Sequence, residues 1–293
     1  MGRSEQLRVG VAQIETVLGD VAANKAKHLE MIQRARTLGL DALLFAELSL
    51  TGYSVRQQAV ELALHRDDPV IDELAKAAGP MWTTFGFIEE GVAAQLHNAA
   101  ITVRDGEIAF IHRKLNLASY GNLEEDKHFA EGRYVDTFDL TATPWRAATL
   151  ICADLWNPAL VHLTAVHGAT VLNVPIASAN NAVSGEFSNP DNWTLALRFF
   201  AMIYGMPLVV ANLAVQEGEA VFWGGSRIVD AFGENLAQAG DGEELITATI
   251  DYGQVKRARY QLPTVRDSNL DLIHREVSRL AWNIGIPRES RKI

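Results

Sequence analysis

Apolar and polar residues alternate over 7–13, with Val9 and Val11 on one face, and this period of two predicts a strand. Asp20 then stands as an N-cap, and Ala22, Ala26, Leu29, Ile32 and Ala35 follow at helical spacing until Gly39. A short apolar run over 42–46 predicts a buried strand ending in the carboxylate of Glu47. Two short helices are expected around 57–64 and 70–77, followed by strands over 82–88 and 96–103. Asp105-Gly106 is a two-residue hairpin signal, and the returning strand over 108–112 leads to Lys114. A long polar loop runs over 116–133. Beyond it the pattern predicts a strand over 147–151 ending at Cys152, a helix over 158–167 and a strand over 170–174. A helix over 193–204, a strand over 208–212, a hairpin built from 226–230 and 235–237, and a last core strand over 245–250 complete the pattern.

Strands and helices that alternate, with hairpins among them, predict an α/β layered protein with mixed sheets. No interior stretch is rich enough in Pro, Gly or Ser to divide the chain, so residues 1–260 are expected to form one domain. Residues 261–293 read as a C-terminal extension made charged by Arg266, Asp267, Arg275, Glu276 and Arg279, expected on the surface or against a neighbouring subunit. At 293 residues, 48% hydrophobic and 21% charged, the composition is that of an ordinary soluble globular protein. Lys+Arg 26 against Asp+Glu 36 leaves a net charge of −10, which opposes generic binding to nucleic acid or anionic membranes.

A single cysteine, Cys152, excludes an internal disulfide and any zinc site built on two or more thiolates. The first residues carry no apolar core of a signal peptide, and Gln6 stands where a myristoylation site needs Ser or Thr. The longest apolar run, over 199–215, is interrupted by Pro207 and Asn212 and is too short to span a bilayer. A cytoplasmic protein is expected.

Glu47, Lys114 and Cys152 each stand at or just beyond the end of an apolar strand. In open α/β sheets the crevice outside the strand carboxyl ends is the usual reaction site. A thiol, a carboxylate and an ammonium together can perform nucleophilic acyl chemistry: the thiol attacks, the carboxylate takes its proton, the ammonium holds the oxyanion. Each residue alone has a plainer reading. A lone cysteine after an apolar run is more often a small buried hydrophobe, a glutamate can cap a helix, and a lysine is usually a solvated charge.

Three segments carry a resemblance: Phe45-Ala46-Glu47-Leu48-Ser49-Leu50-Thr51-Gly52-Tyr53, His112-Arg113-Lys114, and Leu150-Ile151-Cys152-Ala153-Asp154-Leu155-Trp156. In order and separation they resemble the signature segments of the nitrilase (carbon–nitrogen hydrolase) superfamily. The likeness continues through Gly168-Ala169 and 223–230, and so covers roughly residues 7–260. It implies a four-layer α-β-β-α sandwich with two mixed sheets that pairs into homodimers or larger homo-oligomers. It also implies hydrolysis of non-peptide C–N bonds of small amides, nitriles or carbamoyl compounds without metal or cofactor.

Carried over by motif, Glu47 would be the general base, Lys114 the oxyanion stabiliser and Cys152 the nucleophile. The family's second glutamate, in the loop after its lysine, falls on Glu125 within Tyr120-Gly121-Asn122-Leu123-Glu124-Glu125, with Glu124 adjacent. Ala153 replaces a larger residue common after the cysteine; its N–H remains available to the oxyanion. Tyr53, Trp156, Asn157 and the segment from Ala177 to Asn181 follow the same strand ends and are expected to line the site. Arg198 is a weak candidate for holding a substrate carboxylate. The motif around Cys152 looks most like the amidase branch near the glutaminase domains of NAD synthetases, although no Ser-Gly-Gly-x-Asp-Ser nucleotide loop follows.

An amidase working through a cysteine thioester is thus the first expectation. A nitrilase passing through a thioimidate comes second, an N-carbamoyl hydrolase third, and an inactive binding protein on the same fold is the non-enzymatic alternative. Other chemistries fit less well. Neither the papain nor the caspase motif surrounds Cys152. His162 and His167, five apart, would point about 140° from each other on a helix. The Gly224-Gly225 and Gly240–Gly242 groups match neither a P-loop nor a dinucleotide fingerprint.

Overall fold

The computed structural model describes residues 5–140, 143–183 and 186–284. The start of the N-terminal segment just considered, 1–4, lies outside the described residues, as does 285–293 of the C-terminal extension.

Two six-stranded mixed sheets form the centre. The first contains β1 (Gln6–Gln13), β2 (Ala42–Phe45), β3 (Trp82–Glu90), β4 (Leu96–Arg104), β5 (Glu107–Arg113) and β14 (Glu244–Asp251), in the order β14-β1-β2-β3-β4-β5. The second contains β6 (Thr137–Asp139), β7 (Arg146–Thr149), β8 (Val171–Pro175), β9 (Leu208–Ala211), β12 (Arg227–Val229) and β13 (Asn235–Gln238), in the order β13-β12-β9-β8-β7-β6. In each sheet three neighbouring strands run parallel, β1-β2-β3 and β7-β8-β9, and the flanking pairs are antiparallel. A separate hairpin, β10 (Gln216–Glu217) with β11 (Ala220–Val221), leaves the second sheet.

The helices are α1 (Val21–Thr37), α2 (Ala59–Leu62), α3 (Pro69–Ala78), α4 (Pro158–Val166), α5 (Asn189–Tyr204), α6 (Tyr252–Gln261) and α7 (Leu270–Asn283). Side chains of one strand divide between layers as the pleat dictates. In β2, Leu44 packs between the sheets with Val9, Val11, Val171 and Val209, while Leu43 and Phe45 face Met31, Ile32 and Leu74 of α1 and α3. On the far side, Val161 and Ala165 of α4 and Leu197 and Phe200 of α5 cover Leu172 and Val210. The layers are therefore α-β-β-α, and each fully buried Val, Leu or Phe contributes about 1.5–3 kcal/mol.

The cap expected at Asp20 is present, its carboxylate accepting from Ala23 N at 2.9 Å. Asp105 and Gly106, both at positive φ, turn the β4–β5 hairpin. The short strands β6, β10 and β11 and the helices α6 and α7 were not legible in the hydrophobic pattern. The strand before the cysteine ends at Thr149, two residues earlier than its apolar run. Beyond Tyr260 the extension is helical: α6 reaches Gln261 and seats Val255 and Ala258 on the core, while α7 has no buried residue.

Candidate active site

β2 and β5 of the first sheet and β7 and β8 of the second release their chains at the same end of the sandwich. After β2 the backbone turns through Leu48 at φ 48°, and this turn crosses β3 at Gly86. A Cβ on Gly86 would lie 2.2 Å from Leu48 N and 2.8 Å from the Glu47 carbonyl carbon, so only glycine lets the turn lie flat on the strand. Glu47 is thereby directed inward and is 1% exposed.

Lys114 directly follows β5, and its N–H donates to Asn98 O on β4 at 2.8 Å. Its ammonium, fully buried, donates to Glu47 Oε1 and to Glu125 Oε1, each at 2.6 Å. Glu125 reaches this point because the loop after β5 closes on itself: Ala118 N donates to Glu125 Oε2 at 3.0 Å and Glu125 N to Ala118 O at 3.1 Å. Tyr53 Oη donates to Glu125 Oε1 at 2.6 Å. The neighbouring Glu124 turns outward to Lys127, 2.6 Å away.

Cys152 opens a 3₁₀ turn, Cys152–Trp156, and holds φ at 46°, a left-handed conformation that costs a non-glycine residue about 1–3 kcal/mol unless its surroundings enforce it. The residue as a whole is half-buried. Ala153 beside it is buried. Ala177, just past β8, donates its N–H to Glu47 Oε2 at 2.7 Å, and the same backbone group favours the ionised form of the Cys152 thiol.

The charges set one another's protonation. Burial pushes the Glu47 carboxyl up, against the pull of Lys114. Burial and the charge of Glu47 push the Cys152 thiol well above its ordinary value, and Lys114 offsets only part of that. Burial alone would lower Lys114, but Glu125 and Glu47 hold it well above its usual value. The buried setting and the charge of Glu47 both favour the neutral thiol over the thiolate.

A cavity of about 780 Å³ leads away from this cluster, lined by Tyr53, Glu125, Phe129, Ala177 and Phe222, with the β10–β11 hairpin forming one wall. Of the residues expected to line the site, Tyr53 and, from the segment 177–181, Ala177, Ala179 and Asn181 line this cavity. Trp156 packs on Trp193 at 4.4 Å and Phe187 at 5.8 Å, in the layer under α5. Asn157 caps α4, accepting from Ala159 N. Arg198 donates to Gly233 O and Glu234, away from the cavity.

Two participants escaped the sequence reading. Asn98 Nδ2 donates to Glu47 Oε1 at 2.8 Å; its only signal was a polar residue at an inward position of an apolar strand. Asp154 stood within a quoted motif but carried no role. Among the described residues no group of three His, Cys, Asp or Glu side chains could hold a metal ion, and no helix is long and apolar enough to cross a membrane.

Comparison with known proteins gives the same outline. A glutamine-dependent NAD(+) synthetase of Thermotoga maritima is 29% identical over 284 residues, 91% of this chain but 48% of the synthetase. The chain thus spans about half the length of that relative. An N-carbamoylputrescine amidase of Solanum tuberosum is 29% identical over 272 residues, 86% of this chain and 89% of the amidase. The solved structure of a carbon-nitrogen hydrolase from Helicobacter pylori G27 superposes with a TM-score of 0.80 at 24% identity, covering 91% of this chain and 96% of that one. The model of the family described as carbon-nitrogen hydrolase matches residues 8–260, and the chain belongs to that family.

Proposed function

We propose that this protein is an amidase that releases ammonia and a carboxylic acid through a thioester on Cys152. The observation that carries the reading is the buried Glu47–Lys114–Glu125 cluster, with Lys114 at 2.6 Å from both carboxylates and the only cysteine of the chain electrostatically joined to it. The Cys152 sulfur attacks the amide carbonyl while its proton passes to Glu47. Burial raises the Glu47 carboxyl, which makes it a stronger proton acceptor than an ordinary glutamate. Lys114 and the Ala153 N–H take the oxyanion; one such donor is worth about 10²–10³ in rate. Glu47 then protonates the departing ammonia, and the same carboxylate activates the water that releases the acid. Glu125 keeps Lys114 in place, and Tyr53 keeps Glu125.

The cavity narrows the substrate class. Glu124, Glu125, Glu217 and Glu219 line it against the single arginine Arg56, which sits 3.8 Å from Glu124. Glu217 is 4% exposed and takes its hydrogen bonds from Thr16, Tyr53 and Ser54, none of them charged. This lining supports amides whose far end is uncharged or cationic, N-carbamoyl amines included, over those that carry a carboxylate.

Residues 261–293 are proposed as an extension to the hydrolase domain 1–260. Leu270, Ile273, Val277 and Leu280 of α7, all exposed, recur every three or four residues, the spacing of a stripe suited to a second copy of the chain. Sedimentation velocity of the full chain tests the homo-oligomer. A cytoplasmic location is part of the same reading.

A panel of amides, nitriles and N-carbamoyl compounds screened for ammonia release tests the activity. Turnover of amides supports the reading; turnover of nitriles alone moves it to the thioimidate route; no turnover of any of them removes it in favour of a binding protein.

A further inference from the structure

Asp154 is fully buried, two residues past Cys152, and its carboxylate is filled by donors from three places in the chain. Oδ1 accepts from Leu115 N at 2.9 Å and Asn116 N at 2.7 Å, the two residues that follow Lys114. Oδ2 accepts from Ile151 N at 3.0 Å, the residue before Cys152, and lies 2.9 Å from Nε2 of His112, itself 3% exposed and two residues before Lys114. Asp154 N in turn donates to Ile151 O at 2.9 Å, closing the turn in which Cys152 holds its left-handed φ.

Lys114 and Cys152 belong to different sheets. β5, which delivers the lysine, is an edge strand, and β7, which delivers the cysteine, lies second from an edge. One side chain therefore bonds the backbone just after the lysine, the imidazole two residues before it, and the backbone just before the thiol.

We propose that Asp154 is a positioning residue: it fixes the placement of Lys114 relative to Cys152, and through that placement controls the reactivity of the thiol. A carboxylate serves best, because the three backbone partners can only donate and the imidazole Nε2 can donate as well. An amide in its place turns an NH₂ toward one pair of donors and releases either the lysine side or the cysteine side. The proposal rests on the roles given above to Lys114 and Cys152.

The test uses the full chain and the isosteric variant Asp154→Asn. Cys152 is the only cysteine, so intact-mass kinetics of iodoacetamide labelling between pH 7 and 10 report its reactivity without requiring turnover. Amide hydrolysis is followed in parallel, well below the melting temperature of each variant. A displaced ammonium no longer supports the sulfur, so labelling at pH 8.5 is expected to fall about tenfold and kcat about 100-fold, the scale of a 1 Å misplacement, with KM changed less than about threefold. A merely structural role lowers the melting temperature and leaves labelling and kcat at wild-type values, which overturns the proposal. Faster labelling also overturns it, because that is the sign expected if Asp154 acted only as a nearby negative charge. Should Asp154→Asn fail to fold, His112→Ala removes one donor and keeps the other three: slower labelling supports the clamp, and an unchanged rate overturns it. If the wild type hydrolyses no amide, the hydrolase reading fails while the labelling comparison still decides the clamp.

Discussion

Ala177 and Glu47 come from different sheets, yet the Ala177 N–H donates to Glu47 Oε2 at 2.7 Å. Oε1 is already occupied by Lys114 and Asn98. Oε2 is therefore the oxygen left to take a proton, and the amide that holds it also favours the ionised form of the Cys152 thiol. The proposed base and the proposed nucleophile are thus both influenced by one backbone donor just past β8.

The pH dependence follows from the buried carboxyl. In the proposed mechanism Glu47 acts as a base only when ionised, and burial raises its pKa, so kcat/KM is expected to fall with decreasing pH at a midpoint above the ordinary glutamate value. Cys152 and Lys114 are both held well above their ordinary values, so no alkaline loss is expected up to about pH 9. Glu47→Gln should lower kcat about 10²–10⁴-fold and abolish the acid limb. An acid midpoint at or below the ordinary glutamate value, measured by initial rates across pH, would count against the buried base.

Asn98→Ala removes a hydrogen bond that favours the ionised form of Glu47. The acid limb should move to higher pH and kcat should drop about tenfold or more, with the circular dichroism spectrum unchanged. A shift to lower pH would show that Asn98 does not stabilise the Glu47 carboxylate.

The strands that deliver Glu47, Lys114 and Cys152 were legible because each is an apolar run broken by one charged or reactive residue, a pattern that burial enforces. Their convergence was not. It depends on pairing between β1 and β14, more than 200 residues apart, and on the packing of two sheets, which no local periodicity encodes. Asp154 and Asn98 were silent for the same reason, since their partners are backbone groups or distant side chains. Trp156 follows the same strand end as Cys152 but turns into the layer under α5, where it packs on Trp193. The extension past residue 260 shows charge in sequence because α7 buries no residue; its helix became visible only from the backbone.

Gly86→Ala tests the crossing that aims Glu47. The added methyl meets backbone atoms of Leu48, Ala46 and Glu47 at 2.2–2.8 Å, and backbone cannot swing aside as a side chain can. Thermal melts should show a loss of about 1–3 kcal/mol, and kcat should fall by more than KM changes. A variant with wild-type kcat would show that the turn tolerates displacement.

Charge-matched amides test the cavity. Among substrates of equal length ending in ammonium, methyl or carboxylate, kcat/KM should rank ammonium or methyl above carboxylate by about tenfold or more, with the gap narrowing at high salt. Glu219→Gln, on the exposed hairpin wall, should raise the rate for the carboxylate substrate alone. Preference for the carboxylate would contradict the reading of the lining.

The most direct measurement is intact-mass analysis of the enzyme quenched during amide turnover, followed by peptide mapping. A mass increase equal to the acyl group, lost on treatment with hydroxylamine, located on Cys152 and absent from Cys152→Ala together with ammonia release, is the expected result. Ammonia release by Cys152→Ala at the wild-type rate, or an acyl group found elsewhere on the chain, would contradict it.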